Sequence, residues 1–133
     1  MNDELITQEI AERDVESWLD HKKIKGKKRE SQKDAIETLI ESVMEGDLVL
    51  DPDTFKFTQT LLHPMGEINE LVFEPRLAMG KIRKKLKGIK ITEDTTGYIM
   101  GYVATLTNQP YNVIDGIDAD DYKIGQAIAG FFI

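Results

Sequence analysis

Cysteine is absent from this 133-residue chain. That excludes disulfides, thiol nucleophiles and thiolate metal sites together, and it fits a reducing compartment. Also missing is any apolar run near the ~18 residues a membrane-spanning helix needs. The opening stretch MNDELITQEI lacks the pattern of a secretory signal, so the expected location is the cytosol. Histidine is scarce. His21 and His63 stand far apart, each beside turn or loop residues, with no serine or carboxylate in a nucleophile motif. Both read as exposed loop histidines, not as members of a triad. Neither GxxxxGKS/T nor GxGxxG occurs, which removes the usual phosphate-cradling loops. A non-catalytic protein without a cofactor or metal is therefore expected.

What is present is ordinary in amount and unusual in arrangement. At 41% hydrophobic and 31% charged, the composition is that of a folded domain with its own core. Net charge is −7, yet thirteen of the seventeen basic residues fall in two windows. Lys22, Lys23, Lys25, Lys27, Lys28, Arg29 and Lys33 make the first; Lys81, Arg83, Lys84, Lys85, Lys87 and Lys90 make the second. With Glu30 counted the windows carry +12, which leaves −19 on the remainder. Segregation of this kind points to an electrostatic partner.

Hydrophobic spacing predicts a helix over 5–20, with Ala11, Val15, Trp18 and Leu19 on one face. The stretch HKKIKGKKRE breaks that pattern at Gly26 and reads as a solvated loop. Ser31, with Asp34 three residues on, reads as the N-cap of a second helix. That helix carries Ala35, Ile36, Leu39, Ile40, Val43 and Met44 and stops at Gly46. The period then switches to two. DLVLD, FKFTQTLL and INELVFE, separated by PDT and HPMGE, predict a three-stranded antiparallel meander over 47–74. Phe55, Phe57 and Gln59 share one of its faces. Pro75 is placed to start the next helix, with Met79, Ile82, Leu86 and Ile89 at near-heptad spacing. Further helices are predicted from Thr92, after Pro110, and from a cap at Asp118. The expected fold is α+β and mostly helical. One domain spans 1–133, with an N-terminal helix pair and basic loop (1–46) ahead of the hairpin and C-terminal helices (47–133).

Three features invite functional readings. Asp115, Asp118, Asp120 and Asp121 suggest a calcium loop, but counted from Asp118 the fifth and sixth positions are Tyr122 and Lys123. An EF-hand needs an oxygen ligand and a glycine there, so these aspartates read as helix caps. The basic windows suggest phosphate contacts. Neither holds an aromatic residue for base stacking, and the acidic remainder would repel a polyanion. An acidic protein surface, including that of a second copy, is the better match. Gly97 and Gly101 are four apart, spaced for close helix approach, either inside this chain or to a partner's helix. The candidate partner contacts are accordingly Ile128, Phe131, Phe132, Gly97, Gly101, Lys84, Lys85, Lys27, Lys28 and Arg29. Ile124, Ile128 and Phe131 fall at i, i+4 and i+7, which assigns Phe131 to the core. Phe132 and Ile133 are left open between core and partner.

From about residue 55 to 132, roughly 78 of 133 residues, the order of features resembles the tail assembly chaperones of Mu-like contractile-tailed bacteriophages. The stretch LLHPMGEINELVFEPRLAMGKIRK matches their hairpin and following helix. GYIMGYVATLTNQPYNVIDGIDADDYKIGQAIAGFF matches their closing motif through Leu106, Thr107, Pro110, Val113, Ile114, Asp118, Asp121, Tyr122, Phe131 and Phe132. The first 50 residues depart from the shorter members, which begin near the hairpin. The resemblance implies a non-catalytic protein acting in the host cytoplasm during virion assembly. It would keep the long helical tape measure protein in solution, and would help recruit the tail tube protein. It also implies a longer form of the same chain made by ribosomal frameshifting, for which the adjacent Phe131 and Phe132 codons supply a pyrimidine run. A structural tail or baseplate hub subunit, retained in the virion, is the alternative. A nucleic-acid-associated protein using the Lys/Arg clusters is the second.

Overall fold

The computed structural model describes residues 6–133. The first helix, α1 (Gln8–His21), opens where the Thr7 hydroxyl accepts the Ile10 amide at 3.3 Å. It buries Ala11, Val15, Trp18 and Leu19, the stripe its spacing predicts; residue 5 lies outside the described residues. The lysine-rich stretch is not simply a loop. Lys23 takes a left-handed φ of 59°, the Ile24 amide returns to the Leu19 carbonyl at 3.0 Å, and a short helix α2 (Gly26–Ser31) follows. Ser31 is not a cap either. Its hydroxyl donates back to the Lys28 carbonyl at 2.9 Å, so α3 (Lys33–Met44) begins after Gln32 with no side-chain cap. At its end Gly46, φ 83°, allows the Asp47 amide to reach back to the Ser42 carbonyl at 3.0 Å. The predicted helix pair is thus three helices.

Strands β1 (Leu48–Leu50), β2 (Phe57–Met65) and β3 (Ile68–Phe73) form the predicted antiparallel meander in the order β1-β2-β3. Two boundaries differ. Phe55 lies before β2 with a left-handed φ of 61°, in a turn where the Asp51 carboxylate accepts the Asp53 and Thr54 amides. At the other end His63, Pro64 and Met65 belong to β2. The chain reverses only at Gly66, and the pairing slips between Thr60 and Met65.

Past Phe73 the Glu74 amide bonds the Leu106 carbonyl at 2.9 Å, and the Pro75 carbonyl accepts the Lys22 ammonium at 3.4 Å. Tied on both sides, Pro75 does not wind into a first helical turn. The next helix, α4 (Met79–Lys85), starts four residues later. Of the expected heptad stripe only Ile82 is buried; Met79 is 73% exposed and Ile89 lies beyond the helix. Helix α5 (Thr95–Leu106) starts at an Asp94 cap, not at Thr92. Helix α6 (Tyr111–Gly116) follows Pro110 and α7 (Ala119–Ala129) follows Asp118, both as predicted.

Seven helices and the sheet, among the described residues, make a single α+β domain. Helix α7 packs against α3, α5 and β2. Gly125 brings it so close to α5 that a Cβ there would sit 3.0 Å from a Val103 methyl. Trp18 of α1 lies 5.2 Å from Phe57 and 5.6 Å from Phe131, ring centre to ring centre. The N-terminal helices therefore share the core with the C-terminal half. No described helix is long and apolar enough to cross a membrane.

Candidate functional site

The closing aromatic pair divides. Phe131 packs edge-on to Trp18, their planes at 83°, and is 5% exposed; Ile128 is fully buried. Both belong to the core. Phe132 is half-buried with its ring 6.5 Å from that of Trp18, and the Lys22 ammonium sits 3.5 Å above its centre. Beyond it Ile133 is 42% exposed, and its carbonyl accepts the Lys28 ammonium at 3.0 Å. Phe132, Ile133, Lys22 and Lys28 make a semi-exposed patch in which an apolar ring is covered by a cation. Lys22 carried no distinguishing mark in the sequence beyond membership of the first basic window.

Burial pushes the Lys22 ammonium down from 10.5 to about 8, with the Arg76 charge adding to the effect. The face of Phe132 acts in the opposite sense, because its quadrupole favours the charged form. The folded value lies below the unfolded one. Through the window from about 8 to 10.5 the unfolded chain therefore holds a proton that the folded chain has released, and stability rises with pH. Below that window both states are charged, and the cost of holding the ammonium half-buried is fully present. The urea midpoint of the wild type is expected to be higher at about pH 9.5 than at about pH 7.5. Lys22→Met should flatten the difference. An unchanged slope in that variant would remove Lys22 as its source.

The remaining candidates scatter. Arg29 is engaged inside the chain: its Nε donates to the Ile24 carbonyl at 2.9 Å, and its guanidinium pairs with Asp20 at 2.7 Å and Glu16 at 3.4 Å. It holds α2 against α1. Lys27 and Lys84 are exposed, and Lys85 reaches the Gln109 carbonyl at 3.2 Å. Lys81, Lys84 and Lys85 line a cleft of about 240 Å³ with Thr105 and Asn108. Gly97 and Gly101 are buried. A Cβ on Gly101 would lie 2.5 Å from the Leu86 side chain, and one on Gly97 would meet the Asp94 carboxylate that caps its own helix. Their spacing serves close packing within this chain.

Neither histidine stands in a loop. His21 closes α1 and stacks on Phe55, centroids 4.0 Å apart and planes within 4°. His63 lies in β2, and its side chain, with those of Asp118 and Asp120, brings potential ligand atoms within 4.8 Å of one another. This exposed trio suits a cation poorly. Asp118 caps Asp120 at 2.8 Å, Asp120 pairs with Lys123 at 3.6 Å, and the positive end of the α7 dipole faces the same space. Asp121, read from the sequence as one of the helix-capping aspartates, does more than that. Its carboxylate accepts the Leu62 and His63 amides at 2.7 and 3.0 Å, across 59 and 58 residues of chain. Nearby, burial followed by the charge of Asp121 raises the Asp47 carboxyl above its ordinary range.

Comparison with known protein families, with characterised proteins and with solved structures finds no match to this chain. The described surface carries an aromatic ring capped by a lysine and a basic helix.

Proposed function

We propose that this protein is a non-catalytic tail assembly chaperone of a contractile-tailed bacteriophage, acting in the host cytoplasm on the tape measure protein. The observation that carries the reading is the ordered resemblance over residues 55–132. Its residues sit at the joints of one structural unit. Pro110 precedes α6, Asp118 caps α7, Asp121 ties α7 to β2, and Phe131 closes on Trp18. A long amphipathic client helix would gain from repeated weak contacts along its length, and the partly buried Phe132 is the aromatic suited to supply one. The tail tube protein and a frameshifted longer form are the further partners of this reading. A structural tail or baseplate role is favoured by one observation, the integration of the three N-terminal helices into the core, which the shorter chaperones lack.

The test is co-expression with the long helical reading frame encoded beside this gene. Removing everything after Gly130 would be a poor probe, because it takes Phe131 out of the core. Phe132→Ala spares that contact. It is expected to leave the fold intact and to lower the amount of client kept in solution by roughly 5–30-fold, the effect of losing ~1–2 kcal/mol of contact. A long protein whose solubility is indifferent to wild type would sink the chaperone reading, and presence in purified virions would then support the structural one.

A further inference from the structure

Two surfaces of this chain match one another in charge and in form. The first is a groove of about 490 Å³ between α1 and α3, lined by Gln8, Glu12, Glu37, Ile40, Glu41 and Met44. Ile40 and Met44 are half-buried and supply its apolar surface, while the three glutamates are exposed at its rim. Glu37 and Glu41 are four apart on one helix, a spacing at which like charges repel. Glu12 faces them from α1 and, among the described residues, is bonded only by the Gln8 amide at 3.0 Å. Among the described residues no lysine or arginine pairs with any of the three.

The second surface is the outer face of α4. Ile82 anchors the helix, and Met79, Lys81, Arg83 and Lys84 are exposed. Gly80 lies among them with open space over its backbone. None of these cations meets a carboxylate among the described residues. A flexible thioether that shares its helix face with Arg83, four residues on, and with Lys84 beside it suits an apolar trough with an acidic rim.

We propose that α4 of one copy seats in the α1–α3 groove of a second copy, with Met79 against Ile40 and Met44, and Arg83 and Lys84 against Glu12, Glu37 and Glu41. The two surfaces lie on different elements, so the contact is head-to-tail, and the copy at one end keeps a free groove and the copy at the other a free helix for the next. With α4 only about 10 Å long, the interface falls in the small, weak class, and its ion pairs are screened by salt. A nucleic acid would occupy the basic face alone and leave the acidic groove unexplained. The proposal does not depend on the identity of the client.

Sedimentation velocity on the full chain tests it, from about 10 μM to 1 mM, at about 50 and 500 mM NaCl. The expected result is a weight-average mass that rises with concentration at low salt and falls back to monomer at high salt. Glu37→Lys with Glu41→Lys, and separately Arg83→Glu with Lys84→Glu, should each remain monomeric while melting as folded proteins. An equimolar mixture of the two should regain association, because each reversed surface meets its complement. A wild type that stays monomeric throughout overturns the proposal, whether or not it binds a test oligonucleotide. So does a variant that associates like wild type, or a mixture that does not recover.

Discussion

Replacing Asp121 by alanine is expected to lower the unfolding free energy by about 3–6 kcal/mol, from two charge-assisted hydrogen bonds at roughly 1.5–3 kcal/mol each. Its side chain stands in the first turn of α7 at 2% exposure. The Leu62 and His63 amides that it accepts fall where the β2–β3 pairing slips, a stretch in which strand partners are missing. The Asp121 carbonyl in turn accepts the Gln59 side-chain amide at 2.8 Å, so one residue ties helix to strand from both backbone and side chain. Without the carboxylate, two part-buried amides lose their acceptor and the N-terminus of α7 is untied from the sheet. Asp121→Asn keeps one acceptor oxygen and should cost about half as much. It should also let the Asp47 carboxyl fall back toward its ordinary range, since Asp121 is the charge that adds to its burial. Urea unfolding at neutral pH measures the first effect and a carboxyl titration followed by NMR the second. A loss below about 1 kcal/mol for the alanine variant would mean that water replaces the strap.

Trp18→Ala should cost as much, about 3–5 kcal/mol, by opening a cavity at the point where the two halves of the chain meet. The ring is 1% exposed and lies among Phe57, Phe131 and Phe132 at 5.2, 5.6 and 6.5 Å. No other tryptophan is present, so wild-type unfolding can be followed by its fluorescence and the variant by circular dichroism. Phe131→Ala should approach the same cost. A double-mutant cycle between the two should return roughly 0.5–1.5 kcal/mol of coupling, the scale of an edge-to-face aromatic pair. Phe132→Ala should cost less, because that ring is only partly buried. Equal losses from the two phenylalanines would contradict their division between core and surface.

Only one side of that division was visible in the chain. Helical spacing put Ile124, Ile128 and Phe131 on one face and assigned Phe131 to the core, where it lies. Phe132 differs from it by about 100° around a helix, and its setting depends on Lys22, which is 110 positions away in sequence. The glycine pair shows the same limit. Its spacing permits close approach, but only the packing of Leu86 on α5 settles that the neighbour belongs to this chain.

The sequence by itself determined the features that rest on short-range physics. The apolar stripes of α1 and α3 and the period-two run of the meander are legible because burial needs a repeat matched to backbone geometry. The stops and starts at Gly46, Pro110 and Asp118 are legible because caps act within one turn. Tertiary structure alone decided what became of residues whose partners are distant. Pro75 is kept out of a helix by the bond from Lys22 to its own carbonyl and the bond from the preceding Glu74 amide to Leu106, His63 was drawn into a slipped strand, and Asp121 became a strap instead of a simple cap. The same holds for the basic windows, where Arg29 turned inward to Asp20 and Glu16 and the cations of α4 stayed outside. A hydrogen bond or ion pair across fifty residues leaves no local pattern, because its geometry exists only once the elements that carry its two ends have packed.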